Sequence, residues 1–137
     1  FHARQGALTA EYLARAGWRV LFATQLVQAM SDLAASRDWG KVYGMLRQLG
    51  VTFTTDHELA AIGERTITLV DLYTKAPREI ANIDALILIN GAAAEDRLFH
   101  ELRDKLEHLE VHMIGDAVAP RRISDAMYEA ELVARKI

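Results

Sequence analysis

Residues 85–89, Ala-Leu-Ile-Leu-Ile, form the longest uninterrupted apolar run in the chain, and the run stops at Asn90-Gly91. A bilayer span takes about 20 apolar residues, so a run of this size is a strand and not a membrane helix. A strand that is apolar at successive positions has both faces covered, which is the habit of a central strand in a parallel sheet. Parallel strands need crossover connections, usually helices. The run therefore predicts a chain in which helix-periodic and strand-like segments alternate.

They do alternate. Leu8, Tyr12, Leu13 and Ala16 recur at helical spacing over residues 6–16, and Gly17 follows as a C-terminal stop. Residues 18–23, Trp-Arg-Val-Leu-Phe-Ala, then read as a strand. A helix passing into a strand through one glycine is half of a βαβ unit. Trp39, Val42, Tyr43, Leu46 and Leu49 mark a second helix ended by Gly50, with a strand over 51–54. The pieces 57–62, 66–73 and 78–83, separated by tight turns, predict a β-meander. After the apolar run comes a helix over 95–109 with Phe99, Leu102, Leu106 and Leu109 on one face. A strand over 111–114 and a last helix from about Pro120, burying Ile123, Met127, Ala130 and Ala134, complete the order. The expected fold class is α/β: an open, mostly parallel three-layer domain with a β-meander, N-terminally incomplete. The chain opens on Phe1 in helix-like sequence, without an initiator Met, and reads as a piece of a longer polypeptide.

Composition narrows the function. Sixteen Lys plus Arg against 19 Asp plus Glu give a net charge of −3, which leaves no basic footprint for nucleic acid. With no cysteine there is no thiolate zinc site, iron–sulfur cluster or thiol nucleophile in these 137 residues. No metal site and no catalytic residue is expected. His108 and His112 straddle a helix-to-strand change, His2, His57 and His100 stand alone, and Glu101, Asp104, Glu107 and Glu110 read as a solvated helix face.

Ligands of open parallel sheets sit outside the carboxyl ends of the strands. Three places qualify. Residues 2–6 precede the first helix, where backbone N–H groups could hold a pyrophosphate, although Gly6 alone reads equally as a turn glycine. The second strand ends in Ala23-Thr24-Gln25, which offers no acid to accept from a ribose. The third place, Gly115-Asp116, follows a strand with a helix start close behind. A carboxylate there can accept from a sugar or ribityl hydroxyl, while the plainer reading is a helix or loop cap. The Arg121-Arg122 pair could touch phosphate or lie on the surface.

Residues 111–127, Val-His-Met-Ile-Gly-Asp-Ala-Val-Ala-Pro-Arg-Arg-Ile-Ser-Asp-Ala-Met, resemble the closing flavin-binding motif of the trimethylamine dehydrogenase and 2,4-dienoyl-CoA reductase family of NADH:flavin oxidoreductases. Residues 10–14 with 17–20 are similar to that family's second dinucleotide-binding unit, and residues 84–91 to the strand-plus-glycine segment before the return to the flavin domain. The resemblance implies a three-layer Rossmann-like FAD/NAD(P)-binding domain in which residues 1–109 form an NAD(P)H- or ADP-type unit and 110–137 a return segment of the flavin-binding unit. By that carry-over Gly115, Asp116, Ala117, Arg122 and Ile123 approach FAD or ADP, and Gly6, Thr24 and Gly91 line the NAD(P)H-type pocket. It also implies a cytoplasmic bacterial enzyme whose other domains carry FMN and a 4Fe-4S cluster and are this unit's partners, with room for a homo-oligomer. The expected role is to position NAD(P)H or ADP near a flavin, in an enzyme acting on an N-methylated amine, an enoyl thioester or another activated alkene. The alternative is a non-catalytic ADP-binding or assembly module.

Overall fold

The computed structural model describes residues 3–34, 36–106 and 108–137. His2 and Glu107, named above, lie outside them. The chain divides into two compact units, His2–Ile89 and a second that includes Asn90–Ile137. Each is described by itself.

In the first unit helix α1 (Ala3–Arg15) leads into strand β1 (Leu21–Ala23), and α2 (Trp39–Gln48) into β2 (Thr52–Thr54). The same local device ends both helices. Gly17 and Gly50 take left-handed φ values of +89° and +82°. Behind them Trp18 N–H returns to Leu13 O at 3.0 Å, and Val51 N–H to Leu46 O at 3.0 Å. These are Schellman closures, and they satisfy carbonyls that a helix end would otherwise leave open. β1 and β2 pair in parallel with Phe22 opposite Phe53. Ala7 and Ala10 of α1, Leu46 of α2, Val51, and Ala29, Met30 and Leu33 around a short 3-10 turn make one buried cluster. Trp39, Tyr43, Phe53 and Phe22 extend it as a chain of ring contacts 4.7–5.6 Å apart. Trp39 Nε1–H donates to Ala29 O at 2.6 Å, so the indole is packed without an orphaned donor.

The meander follows as β3 (His57–Ile62), β4 (Thr66–Asp71) and β5 (Pro77–Ala81), all antiparallel. Ile67 and Leu69 of β4 are buried while Thr66 and Thr68 are partly open, the period-two pattern of a half-covered sheet. A bulge between Leu59 and Ala61 shifts the register. The Asp71 carboxylate accepts from Tyr73 N–H (2.9 Å) and Thr74 N–H (2.8 Å), which ends β4 in a tight turn. Those backbone donors, Thr74 first, hold the Asp71 carboxyl below its ordinary 3.8.

The second unit contains α3 (Arg97–Lys105) and α4 (Ile123–Ala134). α/β class and meander stand as expected. The three-layer arrangement does not follow from these elements: residues 85–89 and 111–114 are not strands here. A strand exists by virtue of a partner, and no described residue gives either segment a ladder. Both helices are also shorter than expected at each end, α3 running Arg97–Lys105 and α4 Ile123–Ala134. The expected buried face of α4 is corrected as well, since Ile123 and Met127 are exposed.

Candidate functional site

The best-organised loop in the second unit is the turn from Ile114 to Arg122. Ile114 arrives extended, with φ −139° and ψ 165°. Gly115 is buried and takes φ +64°, and a Cβ on it would lie 3.1 Å from Ala126 Cβ. Glycine is thus required twice, by conformation and by close approach to α4. Residues Gly115–Ala117 make a 3-10 turn closed by Val118 N–H to Gly115 O at 3.0 Å.

Glu129, two turns into α4, holds this turn in place. Its Oε2 accepts from Gly115 N–H at 2.7 Å, and its Oε1 pairs with the Arg121 guanidinium. The Gly115 amide, then Arg121, keep the Glu129 carboxyl below its ordinary 4.5. Nothing in the local sequence pattern singles Glu129 out, because its partners lie fourteen and eight residues away.

Asp116 is exposed, and its Oδ1 accepts from Arg121 N–H at 3.1 Å. That bond fixes the carboxylate while its other oxygen has no partner among the described residues. A carboxylate accepts and does not donate, so the group suits hydroxyl or amine donors and repels a bare phosphate. Arg122 forms the N-cap of α4, and its N–H is satisfied by Asp125 Oδ2 at 2.9 Å. Ala117, Arg122 and Ile123 fall within the same turn and helix start, so the five residues 115–117, 122 and 123 are brought together.

The other three positions are dispersed. Helix α1 already begins at Ala3, so Gly6 lies inside it and not in a loop before it. A Cβ on it would lie 3.2 Å from the Phe22 ring and 3.6 Å from Ile89 Cδ1, so the glycine has a packing role. Thr24 ends β1 with its groups engaged locally: Oγ1 accepts from Leu26 N–H at 3.2 Å and the carbonyl from His57 N–H at 3.1 Å. Gly91, with φ +102°, belongs to the second unit and precedes α3 by several residues.

One acid reaches the carboxyl edge of the parallel pair that the sequence did not suggest. Asp56, two residues past the end of β2, takes φ +57°, donates its N–H to Leu26 O at 3.3 Å and accepts Leu72 N–H at its carbonyl at 2.8 Å. Its Oδ2 accepts from Thr55 Oγ1 at 3.0 Å, while Oδ1 is buried with no partner among the described residues. The residue ties the loop after β1 to the meander.

Among the described residues no group of three His, Cys, Asp or Glu is placed to hold a metal, and no helix is long and apolar enough to cross a membrane. Two of the histidines make local polar contacts, His112 with Glu110 at 3.0 Å and His100 with Asp96 at 3.3 Å.

No protein-family model matches the chain. Among curated proteins it is similar to a metal reductase of Desulforamulus reducens, 25% identical over 104 residues, covering 72% of this chain and 14% of that protein. Among solved structures it is similar to histamine dehydrogenase from Rhizobium sp. 4-9, with a TM-score of 0.85 and 27% identity over 96% of this chain. It is also similar to 6-hydroxypseudooxynicotine amine oxidase from Pseudomonas geniculata N1, with a TM-score of 0.84 and 26% identity over 92% of this chain. A 2-naphthoyl-CoA reductase shares the fold at a TM-score of 0.72 and 20% identity. The chain spans only 21% and 19% of the lengths of the first two solved relatives.

Proposed function

Since the chain is similar to one region of flavin-dependent oxidoreductases of the trimethylamine dehydrogenase type, we propose that it is a dinucleotide-binding domain of such an enzyme, positioning NAD(P)H or ADP near a flavin. The observation that carries this reading is the Gly115-Asp116 turn. Its glycine is demanded by φ +64° and by Ala126, and its carboxylate is held outward by Arg121 N–H. An exposed, oriented acceptor at the start of a helix suits the hydroxyls of a ribose or ribityl chain, with the diphosphate toward backbone N–H groups. In this reading Gly115, Asp116 and Ala117 approach FAD or ADP, with Arg122 and Ile123 alongside. Of the residues that the resemblance assigns to an NAD(P)H-type pocket, Thr24 stands at the carboxyl end of β1, where such a ligand would sit.

Chemistry in such enzymes belongs to the cofactor, and the protein supplies orientation and electrostatics. FMN and a 4Fe-4S cluster would belong to other domains of the longer enzyme, which are this domain's partners.

A second reading, a module that binds ADP or serves assembly without hydride transfer, is favoured by Thr24. Its hydroxyl is committed to Leu26 N–H, and Ala23 and Gln25 beside it bring no acid for a nicotinamide dinucleotide's ribose. Calorimetric titration of the longer enzyme with NADH, NADPH and ADP separates the two. Hydride-donor binding with flavin reduction supports the first, and binding of ADP alone supports the second. In the same enzyme Asp116→Ala is expected to lower bound flavin or ADP on purification, by about tenfold in affinity for a lost charge-assisted pair. Full occupancy in that variant would sink the assignment of Asp116.

A further inference from the structure

We infer that Glu129 sets the ligand selectivity of the Gly115–Arg121 turn: it withholds the Arg121 guanidinium from phosphate, so that the turn takes a nucleotide whose sugar hydroxyls are free and turns away one that carries a phosphate there. The choice of a nucleotide rests on the function proposed above, whereas the withheld cation rests on geometry alone.

In sequence, Arg121-Arg122 at the start of a helix is a ready contact for phosphate. The fold takes Arg121 out of that role. Its guanidinium pairs through Nη2 with Glu129 Oε1 and donates from Nε to Ala119 O at 3.2 Å. Two of its three nitrogens are thus turned to acceptors of the chain itself. Glu129 is fixed in turn, because its other oxygen accepts from Gly115 N–H at 2.7 Å. The pair is partly shielded, with side-chain exposures of 40% for Arg121 and 22% for Glu129, so solvent screens it less than an open surface pair. The Glu129 carboxyl is held below its ordinary 4.5 by the Gly115 amide and then by Arg121, which keeps it charged at neutral pH.

What Arg121 gives Asp116 is its backbone. Arg121 N–H donates to Asp116 Oδ1 at 3.1 Å, which leaves the exposed carboxylate as the outward charge of the turn. Asp116, Asp125 and Glu129 also outnumber Arg121 and Arg122 over this turn and helix start. A carboxylate accepts from a hydroxyl and repels a phosphate, and like charges set face to face are an effective means of excluding a wrong ligand. Glu129 is therefore a positioning residue, which acts on the ligand through Arg121 without touching it.

Glu129→Gln separates charge from shape. Its side-chain oxygen can keep the Gly115 N–H, and its amide N–H groups then face Arg121, donor against donor, which releases the guanidinium. Calorimetric titration of the longer enzyme uses ADP, ADP carrying a 2′-phosphate, and inorganic pyrophosphate. The wild type is expected to favour ADP over its 2′-phosphorylated form. Glu129→Gln should narrow that preference and tighten pyrophosphate binding by about three- to fivefold, the worth of one partly exposed ion pair. Adding Arg121→Ala to Glu129→Gln should return both quantities to wild-type values, since the bond to Asp116 runs through the backbone. An unchanged preference and pyrophosphate affinity in Glu129→Gln, a gain that survives the loss of Arg121, or a wild type that binds both nucleotides equally would each overturn the inference. A wild type that binds neither nucleotide, with the pyrophosphate gain intact in Glu129→Gln, would overturn the nucleotide reading and support the withheld cation.

Discussion

At the scale of single residues the Gly115 turn concentrates the chain's least replaceable chemistry. Glu129 supplies the partner of a buried amide and of Arg121, so Glu129→Ala leaves one donor unsatisfied and one cation unpaired. Lower stability in urea unfolding, with faster exchange of the Gly115 amide, is expected. Glu129→Gln keeps an acceptor for Gly115 and should recover part of the loss. Gly115→Ala should cost about 1–2 kcal/mol, the left-handed penalty of a Cβ plus the displacement of Ala126.

The pH dependence of this turn has a definite sign. Glu129 has its carboxyl lowered in the folded chain, so its contribution is full above its ordinary 4.5 and is lost as pH falls through the lowered value. The β4 turn at Asp71 behaves alike below its ordinary 3.8. Acid titration followed by nuclear magnetic resonance should therefore loosen the Gly115 and Thr74 amides only below about pH 4.5. Loosening near neutral pH would contradict the assignment.

Among the elements, what could be read in advance was what depends on near neighbours. Gly17 and Gly50 announced two helix stops because a Schellman closure involves only residues within one turn of the glycine. Gly17→Ala should cost about 1 kcal/mol in thermal or urea unfolding, since an L side chain resists φ +89°. The meander was legible for the same reason, from tight turns and period-two burial. Residues 85–89 and 111–114 carry strand-like composition yet lack ladders among the described residues, because a strand needs a paired neighbour and composition supplies none. Ile123 and Met127 were expected inside and lie outside for a related reason: a periodic apolar stripe tells which face would be buried, not whether anything covers it. Where cover is present the energetics are strong. Leu46, fully buried between α1, α2 and Val51, should lose about 3 kcal/mol as Leu46→Ala.

On the scale of the whole molecule, the chain is similar to about a fifth of two redox enzymes, and in the proposed reading it positions a nucleotide for a reaction completed in other domains. The 137-residue chain alone should therefore show no steady oxidation of NADH or NADPH in a spectrophotometric assay. Turnover by this chain without added flavoprotein would overturn the positioning role.

Amino-acid order by itself determined the α/β class, the helix stops, the meander and the Gly115-Asp116 motif, because each is written in spacing along the chain. Composition likewise ruled out thiolate chemistry in these residues, since zero cysteine is a property of the list and needs no fold. The tertiary structure decided that Glu129 and Arg121 lock the Gly115 turn, that Gly6 packs inside a helix against Phe22 and Ile89, and that Asp56 ties the loop after β1 to the meander. Those contacts join residues eight to more than eighty positions apart. Their partners are chosen by packing and hydrogen-bond satisfaction in space, which a local pattern does not encode.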